Sequence, residues 1–338
     1  MKLATVERIL SIMPIEGADK IVLATVLGWQ VVIKKEEFQV GDLCVYIPID
    51  TIVNPTKECF KFLVDQKNPN VWPRINTIRL KGKHSQGLVV PLDCLDQTQT
   101  YQEGTDVSEQ LDVKKYEKES LIQASGTTTH FVSFPAQIVP ITDEDNLRTK
   151  HKVLEEFTGK KLYVTQKMDG SSMTLIYNSD GFVVCSRRLI LDTGAVMYQW
   201  VSREKIDQRI IAYNKNLAIQ GEFCGPKVNG NQMGLKDYKY IVFNIKNLDT
   251  GKFYGWNDIK QICQELGLEP VPLVCQFEFD SSWTISKFQE LANQQTYTQD
   301  YGKKVPGEGI VIRPEEPVYS NELNKMLSVK VINQNYKD

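Results

Sequence analysis

Six charged residues stand inside strand-like runs that are otherwise apolar or small: Lys167, Asp169, Arg187, Glu222, Glu308 and Lys330. A buried charge is expensive unless an opposite charge, hydrogen bonds or a bound ion compensates it. One or two such residues would make ordinary core ion pairs. Six on separate segments, with both signs represented, call for a fold that gathers distant strands around one pocket. Such a pocket suits a polyanion with its metal ions. The 338 residues leave room for two domains, each with its own core. The net charge of −2 announces no nucleic-acid partner in bulk, so any basic surface must be local.

The stretch Val164-Thr165-Gln166-Lys167-Met168-Asp169-Gly170-Ser171-Ser172 reads as a strand entering a tight glycine turn, with a second strand, 173–177, leaving it. Strand side chains alternate, so Lys167 and Asp169 are expected on the same side. A lysine held beside a carboxylate that draws in a metal is a candidate covalent nucleophile, provided a cationic or desolvated neighbourhood lowers its pKa. Taken alone, Lys-x-Asp-Gly is equally well a solvated hairpin turn.

Residues 1–95 alternate short β-rich runs with turns at Gly28, Gly41-Asp42, Pro48 and Gly82. This predicts a small β-barrel of the oligonucleotide-binding (OB) type. Arg74, Arg79, Lys81, Lys83 and His84 cluster late in it and form either a track for a phosphate backbone or a solvated strand face. Residues 96–128 turn polar and acidic and read as a connector. Residues 129–338 interleave strands and helices without a regular βαβ beat, predicting an α+β domain of antiparallel sheets flanked by helices. Thr142-Asp143-Glu144-Asp145 is expected to open a helix, with acids at its positive end. Amphipathic helices are expected across 196–210 and around 259–266 and 285–291. The seven cysteines stand singly, which points to a reducing compartment and no zinc site. The longest apolar stretch, 21–33, is broken by Thr25, Gly28 and Gln30, and no signal segment is visible. A cytoplasmic or nuclear protein away from membranes, with no obligate protein partner, is the expectation.

In order and interval, the charged segments resemble the motifs of the covalent nucleotidyltransferases, the polynucleotide ligases and mRNA capping enzymes. Lys167-Met168-Asp169-Gly170 resembles the motif whose lysine takes up AMP or GMP, with Thr165 and Gln166 beside it in the nucleotide pocket. Ser186-Arg187 resembles the motif whose arginine contacts the ribose or the nucleic-acid end. Glu222 matches the glutamate that contacts ribose and metal-bound water, Glu308 a carboxylate supporting the metal, and Lys330 the closing lysine on the α-phosphate. Phe243 falls where an aromatic stacks on the purine, although an aromatic in an apolar strand is by itself equally a core residue. The barrel-like segment precedes the transferase, and the chain stops soon after Lys330. That order, together with Ala18-Asp19-Lys20, Gly28-Trp29-Gln30-Val31-Val32 and Ser85-Gln86-Gly87-Leu88, is similar to ATP-dependent RNA ligases with an N-terminal OB module. The closing motif departs from the family's Lys-x-Lys. Ser328 and Ile332 flank Lys330, which leaves Lys325 as a candidate for the second charge.

The resemblance implies a lysyl-AMP at Lys167, transfer of AMP to a 5′-phosphate, and displacement of AMP by a 3′-OH. The substrate would be nicked or broken RNA, or an RNA/DNA hybrid. It implies ATP and Mg²⁺ or Mn²⁺, with Asp169, Glu222 and Glu308 holding the cation through water. Lys330 and the cation are expected to depress the Lys167 pKa, and Arg148 to reach the distal phosphates. A DNA ligase, a GTP-using capping enzyme and a non-catalytic nucleic-acid-binding protein are the competing readings.

Overall fold

Leu43–Ile47 is apolar throughout because side chains cover both its faces: Val45 and Ile47 join one buried cluster, Cys44 and Tyr46 another. The structure, a computed structural model, describes residues 2–66, 71–116 and 132–336. It divides into one unit, Met1–Glu119, and a second, Ser120–Asp338. The described strands of the first unit are β1 (Thr5–Arg8), β2 (Ser11–Pro14), β3 (Ile21–Val26), β4 (Trp29–Lys34), β5 (Leu43–Ile47), β6 (Thr51–Ile52), β7 (Thr77–Leu80), β8 (Lys83–Gln86), β9 (Leu88–Val90) and β10 (Lys114–Lys115). They pair as two three-stranded sheets, β1-β5-β9 and β2-β3-β4, with the hairpin β7–β8 and the antiparallel pair β6–β10 as two-stranded sheets. The Ser85 hydroxyl accepts from the Val32 amide and ties β8 to β4.

The first unit runs past residue 95, so a connector starting at 96 is not what the structure shows. Val107, Leu111 and Val113 are buried in the core with Ala4 and Val6, the Val107 amide donates to the Ala4 carbonyl, and β10 pairs with β6. The segment looks polar because its turns satisfy themselves, the Asp96 and Asp106 carboxylates accepting from the amides of Thr98 and Ser108. Three apolar anchors are enough to hold it down. The later part of the expected connector, 117–128, and the expected domain start at 129 lie outside the described residues.

The second unit contains β11 (Val132–Ser133), β12 (Asp145–Asn146), α1 (Val153–Phe157), β13 (Lys161–Lys167), β14 (Ser171–Asn178), β15 (Gly181–Cys185), β16 (Leu189–Ile190), α2 (Val196–Arg203), α3 (Ile206–Tyr213), β17 (Leu217–Cys224), β18 (Lys239–Asn247), α4 (Trp256–Leu266), β19 (Glu269–Pro270), β20 (Leu273–Glu278), α5 (Ile285–Asn293), β21 (Thr296–Thr298), β22 (Lys304–Pro306), β23 (Gly309–Pro314), β24 (Tyr319–Ser320), β25 (Lys325–Met326) and β26 (Val329–Ile332). Two sheets organise it, in the orders β11-β16-β15-β14-β17-β18-β19 and β12-β26-β23-β13-β20. They are antiparallel as expected, except at β12–β26 and β18–β19, where the pairing is parallel. The helices expected across 196–210 and around 259–266 and 285–291 form. Trp256, Ile259, Ile262, Cys263 and Leu266 recur at helical spacing on the buried side of α4, and Gly267 ends it in the left-handed conformation. Thr284 caps α5 by accepting from the Lys287 amide.

Two readings change. The Lys167 turn is not a hairpin, because β13 and β14 lie in different sheets and residues 168–170 carry the chain from one to the other. Residues 142–146 do not open a helix, because Asp145 and Asn146 run parallel to Val329 and Lys330. Their acids find cations instead: Lys325 bonds the Asp145 carboxylate and the Asp143 carbonyl, and Arg313 pairs with Glu144. Ion pairing to neighbouring strands outweighs the favour of a helix N-terminus, worth only about 0.3–1 kcal/mol for an acid. Among the described residues no helix is long and apolar enough to cross a membrane.

Candidate active site

Register explains why distant motifs meet. Lys167 ends β13 opposite Gly309, so Glu308 arrives directly beside it, and β26 places Lys330 opposite Val311 on the next strand. Lys167 Nζ lies 2.6 Å from a Glu308 carboxylate oxygen. On the other sheet Glu222 pairs with Ser172 just after the crossing turn. The turn fits only because Gly170 has no side chain: a Cβ there would sit 2.5 Å from the Phe223 carbonyl and 2.8 Å from Glu222 Cγ. Asn229 holds the same turn by donating to the Gly170 carbonyl. Gly309, with φ of 146°, is equally constrained, since a Cβ would fall 2.1 Å from the Val331 carbonyl.

The electrostatics describe one shared field. Burial pushes the Glu222 carboxyl up to about 8; Lys167 opposes the rise, while Glu308, Asp169 and Glu144 add to it. Burial alone would pull the Lys167 ammonium down, but Glu308, Glu222 and Glu144 together hold it above its ordinary value. The expected depression of the lysine is therefore reversed here, because the nearest charges are carboxylates. Burial would raise Glu144, yet Arg313, Lys167 and Lys330 hold it at about 2.

Arg187 and Lys330 meet at Asp143, its carboxylate 3.4 Å from the first and 4.0 Å from the second. Phe243 lies where β18 bulges against Gln220 and Gly221, which turns an otherwise regular strand position toward the other sheet. Its ring is half-buried, with the Arg313 guanidinium 5.8 Å from the centroid. Thr165 lies buried one strand repeat below Lys167, whereas Gln166 faces the opposite way and donates to the Thr296 carbonyl. Arg148, 5% exposed, follows the β12 pairing with Lys330. Arg79, Lys81 and Lys83 are exposed on the β7–β8 hairpin of the first unit. Arg74 is instead tied to Asp50 and lies over the Tyr116 ring.

Four contributors escape sequence reasoning: Asp143, Glu144, Arg313 and Tyr297. The buried Tyr297 hydroxyl donates to the Lys167 carbonyl at 2.7 Å and accepts from the Glu308 amide at 3.2 Å, fastening both strand ends. Arg313 was detectable as another charge within an apolar strand; nothing marked Tyr297. Among the described residues no three acidic, His or Cys side chains gather closely enough to hold a metal directly. Carboxylates that share one field without forming a cage suit a hard cation that keeps its waters.

A family model described as RNA ligase matches residues 160–332, and one described as an OB-fold domain matches residues 3–92. No curated protein matches the chain. Among solved structures, an apo mutant of Naegleria gruberi RNA ligase is 30% identical, covering 98% of this chain and 96% of its own, with a TM-score of 0.81. A mutant of the same enzyme with ATP and Mn is 29% identical over 98% and 97%, again at 0.81. The form with PPi is 29% identical over 98% and 97%, at 0.79.

Proposed function

The chain belongs to the RNA ligase family, and from that premise we propose that it seals 3′-OH and 5′-phosphate RNA ends, using ATP as substrate through a lysyl-AMP at Lys167. The observation that carries this reading is Lys167 at the crossing of two sheets, 2.6 Å from Glu308 and within the field of Glu222 and Glu144. In the first step the Lys167 amine forms a bond to the α-phosphorus and pyrophosphate leaves. Glu308, already at hydrogen-bond distance, is placed to take the ammonium proton first. AMP then passes to the 5′-phosphate of a nick, and the 3′-OH displaces it to close the strand. Charge grows on the same phosphate in each step, so Lys330 and Arg187 act by electrostatic stabilisation and positioning. Asp169, Glu222 and Glu308 would hold Mg²⁺ or Mn²⁺ through water, and the bound cation would offset the phosphate charge. Phe243 offers a stacking face for adenine, and Arg148 is assigned to the distal phosphates. The exposed Arg79, Lys81 and Lys83 are assigned to nucleic-acid phosphates.

Incubation with α-labelled ATP, and separately with GTP, tests the chemistry. ATP should label the protein, and Lys167→Ala should remain unlabelled. Labelling by GTP alone would move the reading to capping, and no labelling would leave a binding protein. Nicks with RNA or DNA at the 3′ side then test the substrate, and equal sealing of both would refute the RNA preference.

A further inference from the structure

The hairpin that carries Tyr297 at its base carries a second tyrosine at its tip. Tyr297 pairs with Val305 and Thr298 with Lys304, and the chain turns through Tyr301 and Gly302. Tyr301 is fully exposed, at 105% of its reference surface, and takes a left-handed backbone with φ of 60°. A bulky residue is disfavoured there, where Gly or Asn would be at ease. Folding gains nothing from the ring, since it packs on nothing, and the backbone strain counts against it. Lys303 and Lys304 beside it are also exposed. The neck is firm: the Gln299 side chain donates to the Gln232 carbonyl, and the Tyr297 hydroxyl fixes the Lys167 and Glu308 strand ends. Tyr301 is four residues on from Tyr297, a span of at most about 14 Å.

We propose that this tip is a stacking platform for a nucleobase of the RNA strand being sealed, with Lys303 and Lys304 meeting the adjoining phosphates. The inference rests on the RNA-sealing reading and adds to it a contact to substrate beyond the nucleotide pocket. An exposed aromatic followed closely by two lysines is a pairing that single strands reward, since every base offers a π-face and every linkage a negative charge. Held by Tyr297, the platform would be fixed with respect to Lys167, so base contact and catalytic lysine move as one piece.

The experiment uses the full chain and a fluorescein-labelled nicked duplex with RNA at the 3′ side, at one fixed salt concentration. Tyr301→Ala and Tyr301→Gly should bind it on the order of 10- to 100-fold more weakly, while ATP labelling matches the parent. Tyr301→Trp should keep the affinity, with its indole fluorescence quenched by RNA. Tyr301→Gly should melt no lower than the parent, which a structural role for the ring would not allow. Parent-like RNA affinity in both Tyr301→Ala and Tyr301→Gly would overturn the proposal. So would a Tyr301→Trp variant as weak as Tyr301→Ala. A parent that binds RNA but takes no label from ATP defeats the sealing reading alone, and the binding comparison still decides the tip. A parent that binds no RNA overturns both.

Discussion

Replacing Glu144 by Gln isolates its enclosed ion pair with Arg313. Glu144 and Arg313 meet at 2.6 Å with side chains only 19% and 11% exposed. Two routes lead to the size of the effect. Removing one partner of a buried pair leaves a stranded charge, at a cost of about 3–5 kcal/mol. Separately, a carboxyl held at about 2 against an ordinary 4.5 corresponds to about 3 kcal/mol at roughly 1.4 kcal/mol per pH unit. The two agree, and the lower figure is preferred because the Gln amide oxygen still accepts from Arg313. Because the folded carboxyl is depressed, its contribution is complete above about pH 4.5 and fades as pH falls toward 2. The same linkage leaves about 2 kcal/mol at pH 3.5. Urea unfolding of the full chain, followed by tryptophan fluorescence at pH 7 and 3.5, measures both values. The gap between wild type and Glu144→Gln should shrink by about 1 kcal/mol on acidification. A second variant, Glu144→Gln with Arg313→Met, should recover part of the loss, since no charge is left stranded. A gap under about 1 kcal/mol at pH 7, the worth of an ordinary surface pair, would refute the assignment. A gap that widens with acid would refute it equally.

Tyr297→Phe removes two hydrogen bonds, one to the Lys167 carbonyl and one from the Glu308 amide, so about 1–3 kcal/mol of stability and a slower gain of ATP label are expected in a chain that still folds; label gained at the parent rate would count against the fastening role. Gly170→Ala should lose labelling outright, as its Cβ must displace the Phe223 carbonyl and Glu222; circular dichroism separates this from unfolding, and an active variant would show that the turn can yield. The triple change of Arg79, Lys81 and Lys83 to Ala should lower the slope of log Kd for RNA against log salt by about 0.7–0.9 per residue. ATP labelling should be untouched by it, and an unchanged slope would assign these residues to a solvated face.

The motif residues were legible because burial makes a charge conspicuous in an apolar strand, and that logic found Lys167, Glu222, Glu308 and Lys330 without knowledge of the register. It fails for residues whose surroundings look ordinary. Asp143, Glu144 and Asp145 form an acidic run of the sort that begins helices, and only cations on β15's exit, β23 and β25 reveal them as strand-edge partners. Tyr297 acts through a hydroxyl aimed at main-chain groups, and main-chain partners have no sequence signature. Gln166 shows what adjacency leaves open: it stands next to Lys167, and strand alternation turns its side chain to the other face, where it donates to the Thr296 carbonyl. The crossing turn was hidden for a related reason. An Asp-Gly pair marks a turn without saying whether the strands it joins will pair with each other or with different sheets.

The charge inventory of the pocket explains how one site can rest and still react. Lys167 is held as an ammonium by carboxylates, so in this arrangement it is no nucleophile. Arg187 and Lys330 share the Asp143 carboxylate, which occupies them with an anion of the chain's own. A triphosphate offers both cations a stronger anion than one carboxylate at 3.4–4.0 Å, so ATP can take them over without a new cation from the protein. The same exchange would release the Asp143 carboxylate from Arg187 and Lys330, while Lys325 and Arg313 keep the segment on its neighbours. Burial, with Glu308, Asp169 and Glu144 beside it, already pushes Glu222 up to about 8, so the pocket resists further negative charge. An added polyanion therefore requires that positive charge enter with it, because uncompensated phosphate charge would hold the Lys167 proton more firmly. On the proposed reaction, release of Lys167 as a nucleophile would require that a charge-compensated phosphate replace the pocket's own ion pairs.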